Sequence, residues 1–170
     1  ELYFKKRKDW RNWLAKNHKK EKEVWIIYYK KNSGKESISH TEAVEEALCF
    51  GWIDSKVITI DQERFKQKYT PRNSKSVWSK INKDAAMRLI KENKMTKTGL
   101  EKIEASKKVG TWQKAYSSKA KLPLPKDLKT ALQENPDAFA NFKNFAVTYQ
   151  NMYIGWVTSA KREETREKRI

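Results

Sequence analysis

Residues 39–71 read SHTEAVEEALCFGWIDSKVITIDQERFKQKYTP, and two changes of hydrophobic period inside this stretch decide the fold class. Ser39-His40-Thr41-Glu42 has the Ser-x-x-Glu spacing in which a serine hydroxyl and a glutamate cap the first turn of a helix reciprocally. Behind it Val44, Ala47, Leu48 and then Gly51 or Trp52 recur at helical spacing, which predicts a helix over about residues 41–50. Glu42, Glu45 and Glu46 suit the positive end of its dipole, and Gly51 suits the left-handed residue that stops it. The period then shortens to two. Ser55–Asp61 and Glu63–Thr70 are rich in Val, Ile, Thr, Phe and Tyr, with polar Asp61-Gln62-Glu63 as the hairpin connection. In the second strand Arg64, Lys66, Lys68 and Thr70 fall on one face and Phe65, Gln67 and Tyr69 on the other, so one face packs and the other is cationic. Pro71 cannot donate to the ladder and ends the strand.

Upstream, Trp10, Trp13 and Leu14 repeat at i, i+3 and i+4, the mark of an amphipathic helix. The β-branched and aromatic run Val24-Trp25-Ile26-Ile27-Tyr28-Tyr29, followed by Asn32-Ser33-Gly34, predicts a strand buried on both faces. Downstream, Ile81, Ala85, Ala86, Leu89 and Ile90 predict one helix. Thr98-x-x-Glu101 predicts a second capping box, opening a helix with Leu100, Ile103 and Val109, with Gly110 closing it. Pro123 and Pro125 mark a linker. Beyond it Leu128 and Leu132, then Asn135-Pro136 with Phe139 and Phe142, then Tyr149, Met152, Tyr153, Trp156 and Val157 read as three short helices before a charged tail. The expectation is an α+β fold: a small three-stranded antiparallel sheet with flanking helices over residues 1–121, followed by a helical unit over 122–170 packed on it.

Composition narrows the function classes. The 170 residues hold 38 Lys plus Arg against 21 Asp plus Glu, a formal charge of +17, yet 38% are hydrophobic and seven are Trp. That apolar content excludes a disordered polyelectrolyte. No run approaches the roughly 18–20 apolar residues of a membrane span, and the first residues lack the apolar core of a secretory signal, so a cytoplasmic protein is expected. One cysteine, Cys49, excludes an internal disulfide and a thiolate zinc site, and two histidines, His18 and His40, leave no local metal motif. No metal or cofactor is therefore expected. Phosphate-loop, dinucleotide, zinc-protease and nucleophile-elbow strings are all missing, so no catalytic motif identifies an enzyme.

Between Gln62 and Lys83 seven basic residues stand against one acid, Glu63. Arginine forks and the Ser74, Ser76 and Ser79 hydroxyls suit phosphate or carboxylate, and Phe65, Tyr69 and Trp78 offer stacking surfaces. The candidate ligand set is Trp52, Asp54, Lys56, Arg64, Lys68, Arg72, Trp78 and Asn82, for an anionic small molecule or an acidic partner. A second reading stays open, in which the aromatics are core and the lysines a solvated face. Asp54 reads either as a general base or as a structural acceptor where helix gives way to strand, and Cys49 reads as a core thiol. The helix pair around residues 81–109 has a helix-turn-helix outline, but Glu101 and Glu104 oppose the phosphates a recognition helix must approach. Non-specific nucleic-acid attraction follows from charge alone.

Several strings together carry a family resemblance. They are Glu46-Ala47-Leu48-Cys49-Phe50-Gly51-Trp52-Ile53-Asp54-Ser55-Lys56, Thr70-Pro71-Arg72, Ser76-Val77-Trp78-Ser79-Lys80-Ile81-Asn82, Met95-Thr96 with Gly99-Leu100, and near the end Tyr153-Ile154-Gly155-Trp156-Val157, Ser159-Ala160-Lys161-Arg162, Glu164-Thr165-Arg166 and Arg169-Ile170. In order along nearly the whole chain, they resemble the bacterial YdeI/OmpD-associated family. The resemblance implies a non-enzymatic protein associated with an outer-membrane porin and with tolerance of bacteriocins and cationic antimicrobial peptides. A sequence-tolerant nucleic-acid binder is the alternative. In the C-terminal string, Tyr153, Trp156, Lys161, Arg162, Arg166 and Arg169 form a candidate partner-binding set, with oligomeric state left open.

Overall fold

The computed structural model describes residues 1–115 and 120–170. The chain divides into two compact units, Glu1–Ala115 and Tyr116–Ile170. In chain order the first unit contains β1 (Leu2–Tyr3), α1 (Arg7–Asn17), β2 (Val24–Tyr29), α2 (His40–Cys49), β3 (Trp52–Thr59), β4 (Arg64–Pro71), α3 (Lys80–Lys91) and α4 (Lys97–Lys108). The second contains α5 (Lys126–Glu134), α6 (Pro136–Asn144), α7 (Val147–Thr158) and α8 (Glu163–Glu167). The α+β class follows directly.

The sheet has four strands in the order β1-β2-β4-β3, not three. β2 pairs antiparallel with β4, and β4 with β3, but the short β1 lies parallel to β2, with Leu2 opposite Ile26 and Tyr3 opposite Ile27. Two residues are too few to show a period of two in the sequence, so the extra strand and the mixed pairing could not be anticipated. β2 is also not buried on both faces. Val24, Ile26 and Tyr28 are buried whereas Trp25, Ile27 and Tyr29 are only partly so. Lysines lie over that second face: Lys66 and Lys68 sit 5.2 and 5.7 Å from the Trp25 ring centre, and Lys35 sits 5.1 Å from that of Tyr29. Apolar residues on both faces of a strand can thus be served by lysine stems in place of a second protein layer.

The other face of the sheet carries the core, in which Trp10, Leu14, Ile26, Tyr28, Ala47, Leu48, Trp52, Tyr69, Trp78, Leu89 and Ile103 are buried. Trp10 Nε1 donates to the Ala43 carbonyl at 3.0 Å, which locks α1 to α2. Between the same helices buried Glu46 accepts from Arg7 Nε at 2.5 Å and Arg11 Nη1 at 2.6 Å, while Glu45 accepts from Arg7 and from Arg88 of α3. Buried carboxylates demand such partners. The Tyr28 and Tyr69 hydroxyls pair at 2.7 Å, and burial pushes both phenols well above their ordinary pKa.

The capping box of α2 forms as expected: the Ser39 hydroxyl accepts from Glu42 N, and the Glu42 carboxylate accepts from Ser39 N. The Ser39 hydroxyl, which also donates to the Glu42 carboxylate at 2.8 Å, and then the Ser39 amide hold the Glu42 pKa below the usual carboxylate range. Gly51 adopts φ +74 and ends the helix. For α4 the cap is Thr96, whose hydroxyl accepts from Gly99 N, and not Thr98 as the Thr-x-x-Glu spacing suggested. Thr96 wins because its amide and hydroxyl also donate to the Cys49 carbonyl, at 3.0 and 2.7 Å, a tertiary contact that no local spacing reveals.

In the second unit, Leu128, Phe142, Ile154 and Val157 form a small core of their own. Arg166 donates to both Asp127 carboxylate oxygens, at 2.5 and 2.9 Å, and ties the tail to α5.

Candidate anion-binding site

Four chain segments converge at the end of α2. α1 finishes at Asn17, whose side-chain amide donates to Trp13 O, and the next residues, His18 to Lys22, turn sharply through Lys20 N and Glu21 N bonds to Asn17 O. Gly51 carries the chain from α2 into β3, and its carbonyl accepts from Arg72 N at 2.8 Å, beyond the end of β4. The first turn of α4 presses against the Cys49 carbonyl. A Cβ on Gly99 would lie 2.9 Å from the Cys49 carbonyl carbon and nearer still to its oxygen, so only glycine permits this approach.

The convergence leaves a cleft of about 430 Å³ lined by Phe50, Gly51, Trp52, Pro71, Thr98, His18 and a basic rim. The rim holds Lys19, Lys20, Lys22 and Lys102 against a single acid, Glu21. Trp52 lies in the wall, 1% exposed, with its indole Nε1 donating to His18 O at 3.1 Å. His18 Nδ1 lies 2.8 Å from Leu14 O, and because a carbonyl only accepts, Nδ1 carries the proton and Nε2 faces the Thr98 hydroxyl at 3.2 Å. The Phe50 ring packs 5.1 Å from the imidazole, centre to centre. The cleft therefore combines lysine charge, a threonine hydroxyl, the positive end of the twelve-residue α4 and aromatic walls. The lysine charge and the helix end favour an anion, the Thr98 hydroxyl donates to His18 Nε2, and the aromatic walls favour a ligand that bears an apolar or planar portion.

The eight residues proposed from sequence do not share this cleft. Trp52 lines it. Asp54 and Asn82 line a different cavity of about 600 Å³ between α2, β3 and α3, with His40, Asp84 and Arg88. There Asp54 Oδ2 accepts from Gln67 Nε2 at 2.7 Å and lies 3.3 Å from His40 Nε2. Arg72 is buried, its guanidinium 3.8 Å from the Trp78 ring centre and bonded to the Val77 carbonyl, while Trp78 packs edge-on against Trp112 at 4.7 Å. Arg64 pairs with Asp61 across the hairpin, an ion pair that holds the Asp61 pKa below its usual range. Lys68 pairs with Glu23, and Lys56 is exposed where the register of β3 slips between Asp54 and Val57. Arg64 and Arg72 stand at opposite ends of β4, separated by about 26 Å at ~3.3 Å per residue. One concavity joining Trp52, Arg64, Arg72 and Trp78 is thus not formed. The residues that sequence reasoning missed, Lys19, Lys20, Lys22, Thr98 and Lys102, come from segments about 80 residues apart in the chain. The only local signal was the Lys19-Lys20-Glu21-Lys22 run between a helix and a strand.

Of the C-terminal set, Tyr153 and Trp156 are 42% and 50% exposed on α7. Arg166 is engaged with Asp127 and the Val157 carbonyl, which makes it a structural tie. Arg169 donates to Trp156 O at 2.6 Å and lies 5.2 Å from its ring centre, while Lys161 and Arg162 follow α7 and are exposed.

A family model described as Domain of unknown function (DUF8412) matches residues 2–102, well over half of the chain. The chain belongs to this family. Its C-terminal region, residues 121–170, matches a second model, described as Bacteriocin-protection, YdeI or OmpD-Associated. The YdeI/OmpD-associated match is therefore confined to the C-terminal part, and the strings between Glu46 and Leu100 fall within the DUF8412 region instead. Each match lies within one compact unit. No curated protein and no solved structure matches the chain. Among the described residues no helix is long and apolar enough to cross a membrane, and no cluster of three or more His, Cys, Asp or Glu could hold a metal ion.

Proposed function

We propose that this chain is a non-enzymatic cytoplasmic protein that binds a small anionic ligand in the Trp52 cleft of its DUF8412 region, and that this binding contributes to tolerance of bacteriocins and cationic antimicrobial peptides. The observation that carries the ligand class is the lining of the cleft, four lysines against one glutamate around a tryptophan and a phenylalanine. The bacteriocin part of this role rests on the bacteriocin-protection family that residues 121–170 match, and the peptide part on the resemblance of the sequence strings to that family. The charge of +17 argues against the whole protein acting as a direct sponge for cationic peptides, since like charges repel, and favours action through the bound anion.

The test is thermal unfolding of the full chain with inorganic phosphate, pyrophosphate and citrate, compared at constant ionic strength. A saturable rise in the midpoint with at least one of these anions, lost in a Lys20→Ala/Lys102→Ala double variant and retained in Arg64→Ala, is the expected result. The same double variant should lose protection when expressed in a bacteriocin-sensitive strain. No saturable rise, or a rise unchanged by the double variant, overturns the assignment.

A second reading has its own observation. The lysine-lined aromatic face of the sheet, with Trp25, Tyr29, Lys66 and Lys68, has the composition of a stacking platform for single-stranded nucleic acid. Under it, oligonucleotide affinity falls steeply with salt and drops on Trp25→Ala while Lys20→Ala/Lys102→Ala leaves it nearly unchanged.

A further inference from the structure

Helix α7 breaks the rule that a surface helix shows one apolar face and one charged face. Its sequence, VTYQNMYIGWVT, contains no charged residue. Gln150, Ile154 and Val157 are buried and supply the inner face. On the outer face Tyr149, Met152, Tyr153 and Trp156 are 59, 56, 42 and 50% exposed. These four stand at i, i+3, i+4 and i+7, a continuous stripe with the spacing of a buried surface. Single exposed apolar residues need no explanation, but a contiguous aromatic stripe marks a surface that is covered in use.

The stripe is also shaped. Two grooves meet at Tyr153 and Trp156, one of about 220 Å³ reaching Leu132, Phe142 and Phe145, the other of about 300 Å³ bounded by Met152. Phe145 stacks on Tyr153 at 5.7 Å and helps fix the shared wall. Among the described residues, the one charged side chain that lines the grooves is basic. Arg169 lines the first, held over Trp156 by its bonds to Trp156 O and Ser159 Oγ at 2.6 and 3.1 Å, and among the described residues no acid lines either groove. Lys161 and Arg162 leave the end of α7 exposed, and Lys143 caps the Phe139 ring at 4.0 Å on α6.

We propose that this face of α7 is a docking surface for an acidic amphipathic helix of a partner protein, whose apolar residues enter the two grooves while its carboxylates meet Arg169, Lys161 and Arg162. Helix-in-groove recognition reads anchors at the spacing Tyr149, Met152, Tyr153 and Trp156 present. A second copy of the chain is disfavoured as occupant, because it brings the same basic rim and a charge of +17 to the contact. The surface lies in the C-terminal unit and is independent of the Trp52 cleft.

The test uses the full chain and two synthetic helical peptides of about five turns each. They share one leucine face and differ only in a polar face of glutamate or of lysine. Binding is followed calorimetrically at low salt, and hydroxyl-radical oxidation reads the exposure of Met152 and Trp156. The glutamate peptide should bind at least ~10-fold tighter than the lysine peptide, a difference of about 1.4 kcal/mol. It should protect Met152 and Trp156, weaken at least ~10-fold on Trp156→Ala, and lose its advantage on Lys161→Glu/Arg162→Glu. Circular dichroism checks that both variants fold, and the charge variant, at exposed positions, keeps the test decisive should Trp156→Ala unfold. Equal affinity for the two peptides, or no binding of either, overturns the proposal. So does protection of Met152 and Trp156 in the free chain, with sedimentation separating coverage by a second copy from coverage by the chain itself.

Discussion

Replacing Gly99 with alanine sets local preference against tertiary packing, and the two predict opposite signs. In an exposed helix interior Gly→Ala stabilises by about 1 kcal/mol. At Gly99 the new methyl would lie 2.8 Å from Met95 Cε and 2.9 Å from the Cys49 carbonyl carbon, with the carbonyl oxygen closer still. The methionine can swing away, but the Cys49 peptide is held by Gly51 and by the Thr96 amide and hydroxyl bonds to its oxygen. Overpacking a core costs about 1–3 kcal/mol, and the upper end applies where the neighbour is backbone. Distorting the two Thr96 bonds adds up to about 1 kcal/mol. Net of the propensity gain, Gly99→Ala should destabilise by about 2–3 kcal/mol. Urea denaturation followed by circular dichroism should show the midpoint falling by about 1–2 M with an unchanged slope. The variant should also weaken anion binding in the cleft, because Thr98 and Lys102 ride on the displaced helix. A midpoint equal to or above that of the parent refutes the close approach of α4 to the end of α2.

Four further outcomes follow from the same structure. Ser39→Ala removes half of the α2 capping box and should cost about 1 kcal/mol in the urea assay, with Ser39→Asp retaining most of it. Glu46→Gln should cost about 2–3 kcal/mol, below the full value for a buried pair because Arg7 and Arg11 remain 30 and 36% exposed; a loss under ~0.5 kcal/mol would show that Glu46 does not anchor α1 to α2. Burial, followed by the nearby Glu46 charge, pushes the Cys49 thiol up to about 11 from 9.0. The native thiol should therefore resist a thiol reagent at pH 8 and react on unfolding. With the folded value above the unfolded one, the folded state binds more protons between them, and stability measured by urea titration falls as pH climbs from 9 toward 11.

The parts of the fold legible in the sequence are those whose signal is local. The α2 capping box, the Gly51 stop, the β3–β4 hairpin and the helices after Pro125 are each written within about twenty consecutive residues. What escaped detection depends on distant partners. β1 has only two residues and exists because β2 offers it an edge. Thr96 outcompetes Thr98 as a cap because it also reaches Cys49. The basic excess between Gln62 and Lys83 was visible, yet its members scatter: Arg72 turns inward onto Trp78, Arg64 closes a turn, and Lys66 and Lys68 lie along Trp25. Charge density along a chain does not say where side chains meet. The Trp52 cleft forms instead from a four-residue run near residue 20 and the first turns of α4, and nothing in either segment announces the other.

The carbonyls of Cys49 and Gly51 accept from Thr96 and Arg72, so one three-residue stretch of backbone ties α4 and the end of β4 to the end of α2. Both attachments share residues 49–51 as their anchorage. The amides of Thr96 and Arg72 should accordingly exchange with deuterium only at the rate set by unfolding of the whole first unit. An anion seated between these attachments would not tighten a loop; its binding energy would be spread over the entire unit, and ligand concentration would act as a dial on global protein lifetime.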